Sequence, residues 1–114
     1  MTKERLEKLA SLRREIARTN ERLRELKATR ATSARYKAII SSTESALENY
    51  LAEAESETSA LLEYIESIED RKMRELFMLR YYDGIRSWQR IAFMVGEYDE
   101  SYIRKKHNSY LSRM

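Results

Sequence analysis

The sequence predicts an all-α fold: a long N-terminal antiparallel helical hairpin or coiled coil, then a compact C-terminal group of short helices. Three observations carry this expectation. The 114 residues contain no proline and two glycines, Gly84 and Gly96, so almost nothing between Thr2 and Asp83 interrupts a helix. Apolar residues recur at seven-residue spacing through the first two-thirds of the chain. After Ile68 the apolar face widens, as in a helix that packs into a globule.

In the first segment Leu9, Leu12, Ile16, Leu23 and Leu26 follow the seven-residue repeat, and Thr19 and Arg30 occupy seam positions that depart from it. So narrow a stripe over about 28 residues makes a helix about 42 Å long, which needs a partner helix. Ala28–Ala34 (ATRATSA) has no large apolar residue and is the expected hinge. A second stripe follows through Ile40, Leu47, Ala54, Leu61 and Ile68, joined by Tyr36, Tyr50, Leu51, Tyr64 and Ile65. Its seam is weakest over Ala52–Ser59, where a bend or frayed stretch is expected to cost little. Spacing leaves open whether the two helices pair within one chain or across a dimer. The division expected is an extension over residues 1–67 and a second domain over 68–114.

Charge is segregated along the chain. Residues 1–37 carry 12 Lys/Arg against 5 Asp/Glu, residues 38–70 carry none against 9, and residues 71–114 carry 10 against 5. A basic helix followed by an acidic one suits an antiparallel hairpin with attracting flanks; direct nucleic-acid contact by the basic helix is the other reading. Charged residues make up 36% of the chain and no apolar run approaches the roughly 20 residues that span a bilayer. With no signal-peptide pattern, the expectation is a soluble, cytoplasmic protein. There is no cysteine and one histidine, His107, which argues against disulfides and against a zinc site.

The C-terminal third reads as a run through Met73, Leu76, Phe77, Leu79 and Tyr81, closed at Asp83-Gly84. Ser87 is placed to cap a short helix from Trp88 to about Met94, Gly96 to end it, and Asp99 to cap a last helix from about Glu100 to Ser112. A helix-turn-helix needs a small residue where its helices cross, a permissive residue in the turn and an inward aliphatic early in the second helix. Ala92, Gly96 and Ile103 fill those roles, supported by Ile91 and Val95, although the Gly96–Ile103 gap is one residue long and implies an enlarged turn. Two ordinary short helices in a small bundle are the plain alternative.

With Ile103 inward, 100° steps put His107, Tyr110 and Leu111 on the same side and Ser101, Lys105, Asn108 and Ser112 opposite. Tyr102, Arg104 and Lys106 flank that outer face. The base-reading set is therefore Ser101, Tyr102, Arg104, Lys105 and Asn108, with asparagine best suited to adenine. The phosphate set is Arg86, Ser87, Gln89, Arg90 and Lys106. Trp88, Tyr81 and Tyr82 read as core, His107 as a packing residue with phosphate contact as its alternative, and Arg80 as a partner for Glu97 or Asp99.

The stretch from Ile68 to Leu111, with LRYYDG, SWQRIA and IRKKH as its marked pieces, resembles the sigma-70 region-4-like domains of small phage-encoded regulators of the RinA and ArpU types and an uncharacterised phage relative. The ATSARYKAII and STES segments resemble the helical extension of that relative. The resemblance implies a phage or prophage protein of the bacterial cytoplasm, binding double-stranded DNA to regulate transcription. Host RNA polymerase is a further implied partner, and a homodimer through the N-terminal helices is expected. Two other functions stay open: a DNA-packaging oligomer of the small-terminase type, and an adaptor that binds polymerase. No nucleophile, metal cluster or glycine-rich phosphate loop accompanies Glu53, Glu55 and Glu57, so no catalysis, cofactor or metal is expected.

Overall fold

A computed structural model describes residues 1–30 and 32–113. Among these the chain is helical with no strand: α1 Lys3–Glu7, α2 Leu9–Ala28, α3 Ala34–Glu66, α4 Arg71–Phe77, α5 Trp88–Val95 and α6 Glu100–Ser112, with a π-helical turn at Met78–Tyr82 directly after α4. None of these helices is long and apolar enough to cross a membrane. The expected hinge at Ala28–Ala34 falls between α2 and α3, and Ala31 within it lies outside the described residues.

The chain divides into two compact units, Leu12–Ser59 and a second made of Met1–Ser11 with Ala60–Met114. In the first unit side chains of α2 and α3 meet. The Tyr50 hydroxyl donates to Glu15 Oε2 at 2.5 Å, and Lys27 Nζ lies 3.7 Å from Glu48 Oε1. Thr19, Leu23 and Ala54 are its buried residues. No frayed stretch interrupts the weak seam over Ala52–Ser59, since α3 is continuous for 33 residues. Small residues keep every backbone bond there, Ala54 is buried and Thr58 Oγ1 donates back to the Ala54 carbonyl at 2.8 Å.

The second unit takes in the N-terminal residues that the sequence assigned to the extension. Leu6 and Leu9 are fully buried, and a Cβ added at Gly84 would meet the Ala10 methyl at 3.3 Å. The physical reason is chemical: Leu6 and Leu9 are large apolar groups, and their burial in this unit removes them from water. The first helix is correspondingly shorter than the 28-residue stripe suggested, since α1 ends at Glu7 and α2 begins at Leu9. α4 is capped by Asp70, whose carboxylate accepts from the Met73 amide at 3.1 Å. The π turn that follows is closed by Asp83 N–H donating to the Met78 carbonyl at 2.9 Å and Ile85 N–H to the Leu79 carbonyl at 3.0 Å, with Gly84 at φ +74°.

Candidate nucleic-acid interface

α5 begins where Ser87 Oγ accepts from the Arg90 amide at 3.2 Å, and buries Ile91, Ala92 and Val95. It ends at Gly96, whose φ of +81° is open to glycine and strained for other residues. The Glu97 amide donates to the Ala92 carbonyl at 2.8 Å and the Gly96 amide to the Phe93 carbonyl at 3.3 Å, the paired closure of a Schellman motif. The connection Gly96–Asp99 is four residues long. Asp99 caps α6 by accepting from the Ser101 amide at 2.9 Å. Despite the long gap noted in the sequence, Ala92 and Ile103 are both 3% exposed, so the enlarged turn is absorbed without turning Ile103 outward. Lys72 Nζ holds this turn from α4 through Glu97 Oε1 at 2.7 Å, and the carboxylate raises the Lys72 pKa.

Below α6 lies a group of rings in which Phe77, Tyr81 and His107 are buried and Trp88 and Tyr110 half-buried. Phe77 has ring-centroid distances of 5.4 Å to Tyr81, 5.3 Å to His107 and 5.3 Å to Tyr110, and Trp88 lies 4.8 Å from His107. His107 is a packing residue and its phosphate alternative is excluded by 1% exposure. Burial lowers its pKa from 6.5 to about 4, against a hydrogen bond to Asn108 that acts to raise it. Tyr81, also buried, is pushed up to about 12. Arg80 does not reach Glu97 or Asp99. Its guanidinium lies 4.4 Å from the Trp88 ring centroid and donates to the Arg86 carbonyl, while Glu97 is taken by Lys72.

Of the outer residues on α6, Tyr102, Arg104, Lys105, Lys106 and Asn108 are exposed and Ser101 is half-buried. Lys106 Nζ sits 5.0 Å from the Tyr102 ring centroid, and the Tyr102 hydroxyl raises the Lys106 pKa, so its charge is secure at neutral pH. Arg104 Nη1 lies 3.9 Å from Glu100 Oε1, a solvent-exposed i,i+4 pair that leaves the guanidinium accessible. Lys105 carries no ion pair among the described residues. Arg86, Ser87, Gln89 and Arg90 are all exposed around the start of α5, where helical amides face outward.

Two features escaped the sequence reading. Asn108 is not free on the outer face, because its Oδ1 lies 3.1 Å from His107 Nδ1, whose Nε2 is in turn 2.6 Å from the Tyr81 hydroxyl. No sequence signal links residues 26 positions apart. The second is an apolar surface beside the turn, with Phe93 84% exposed and Met94 and Tyr98 also open. This one was legible, since a helix with Ile91, Ala92 and Val95 inward turns Phe93 out. No protein-family model, curated protein or solved structure matches this chain.

Proposed function

We propose that residues 68–114 form a helix-turn-helix that reads double-stranded DNA, in a non-catalytic transcriptional regulator of phage or prophage type. The supporting observation is the α5–α6 arrangement: Ala92 and Ile103 buried, Gly96 left-handed, and Lys105, Asn108, Arg104 and Lys106 carried on the opposite face of α6. In this reading α6 enters the major groove, Ser101, Tyr102, Arg104, Lys105 and Asn108 meet base edges, and Arg86, Ser87, Gln89, Arg90 and Lys106 hold phosphates. In the same scheme α2 and α3 pair as the antiparallel N-terminal hairpin. Tyr36 and Ile39, each about half exposed on α3, support its use as a homodimer surface that brings two modules to one site.

The test is the salt dependence of binding. Three cations in the phosphate set give a slope of log K against log salt of about −2.7 per subunit, and each of Arg86→Ala, Arg90→Ala and Lys106→Ala reduces it by about 1. A duplex that does not bind even at low salt rules the reading out.

The exposed Phe93, Met94 and Tyr98 support a second reading, an adaptor whose turn docks on a protein such as polymerase. Phe93→Ala and Tyr98→Ala then abolish polymerase capture and leave duplex binding intact; loss of duplex binding alone speaks for the first reading.

A further inference from the structure

We propose that the cleft between α5 and the Gly96–Asp99 turn takes an arginine side chain presented by a partner protein. The inference rests on the second reading above, that this turn docks on a protein, and names the chemistry recognised there. The cleft holds about 380 Å³ and is lined by Phe93 from α5, by Glu97, Tyr98 and Asp99 from the turn, and by Glu100 at the start of α6. No lysine or arginine lines it. Residues 71–114 carry 10 Lys/Arg against 5 Asp/Glu, yet three of those five acids fall within Glu97–Glu100. Two aromatic rings and three carboxylates in one cleft form a cation-binding set inside a basic segment.

The contacts already made leave that set open. Lys72 reaches Glu97 through Oε1 and the Ser101 amide reaches Asp99 through Oδ1, so each carboxylate keeps a second oxygen. Arg104 lies 3.9 Å from Glu100 Oε1 in an exposed pair that contributes little and yields to a better-placed cation. Phe93 is 84% exposed and Tyr98 is fully exposed, so both rings are accessible to a ligand. Arginine suits the cleft better than lysine, because a planar guanidinium stacks on a ring and forks onto a carboxylate while an ammonium is a point charge. The same carboxylates repel phosphate, which sets this face apart from the cations of α6 and of the start of α5.

The test uses the full chain, labelled with ¹⁵N, and a blocked Leu-Arg-Leu peptide. Its control is the same peptide with citrulline, which has the shape of arginine without the charge. The arginine peptide should shift the amide signals of Phe93, Tyr98 and Glu100, and the citrulline peptide should bind about tenfold more weakly. Asp99→Asn keeps the helix cap and Glu100→Gln keeps the side-chain length, so together they should abolish the difference between the peptides without unfolding α6. Phe93→Ala, at an exposed position, should remove binding. Equal binding of the two peptides at the cleft overturns the arginine assignment and leaves the docking reading standing. No shift at the cleft with either peptide also overturns the assignment, and polymerase capture then decides the docking reading by itself. Self-association that Phe93→Ala abolishes gives the cleft to a second copy of this chain and overturns the proposal.

Discussion

Acidification from pH 7.5 to 5 is expected to destabilise the C-terminal unit by about 2 kcal/mol through His107 alone. Burial lowers the His107 pKa from 6.5 to about 4, with Arg80 and Lys3 adding smaller contributions in the same direction. The unfolded chain takes up its proton as pH falls through 6.5, while the folded chain resists until about 4. The folded state therefore binds fewer protons in this window, and stability must fall with pH. At pH 4 the loss reaches about 3 kcal/mol. The chain has one histidine and no cysteine, so no other side chain has its ordinary value between pH 5 and 7.5, and carboxylates contribute mainly below that window. Urea titrations followed by Trp88 fluorescence report the right unit, since the indole lies against His107. Equal midpoints at pH 7.5 and 5 would refute the account of His107 as a buried neutral ring. His107→Gln should remove most of the pH dependence whatever its effect on stability at pH 7.5.

Gly96→Ala should lower stability by about 1 kcal/mol in urea denaturation, because the φ of +81° is unfavourable for alanine while the space around it is open. Ile103→Ala leaves a cavity under α6 and should lower stability by about 2–5 kcal/mol; a loss below 1 kcal/mol would mean that α6 does not anchor there. Lys105→Ala and Asn108→Ala should each remove preference for a selected operator while retaining most non-specific binding; unchanged operator affinity would show that the outer face is misassigned. Light scattering on the full chain should give a dimer, and a ring of eight or more subunits would favour the packaging reading over the regulator.

Much of the fold is visible in the sequence because local chemistry determines it. Ser87, Gly96 and Asp99 each terminate a helix through their own backbone or side chain, and α5 and α6 run as those residues indicate. Ile103 and His107 sit inward as the 100° spacing requires. What stayed hidden depends on distant partners. The π turn after Phe77 has no composition signal, and it lies where Leu79 and Tyr81 are both buried. Leu6 and Leu9 are buried in a unit whose other residues lie more than fifty positions away, a grouping that the seven-residue repeat through Leu9 does not signal. The expected pairing of Arg80 with Glu97 or Asp99 is not formed, because a ring face and a carbonyl compete for a guanidinium as well as a carboxylate does. Asn108 reads as a free side chain on an outer face, whereas its Oδ1 lies 3.1 Å from Nδ1 of the neighbouring imidazole.

The central claim, that α6 reads DNA sequence, is tested most directly by selecting bound duplexes from a random library with the full chain. The account predicts enrichment of a short motif, repeated as a palindrome or direct repeat if the chain is dimeric, and loss of specific positions in that motif for Lys105→Ala and Asn108→Ala. A library that returns no enriched sequence, from protein that binds duplex DNA or from protein that does not, would contradict it.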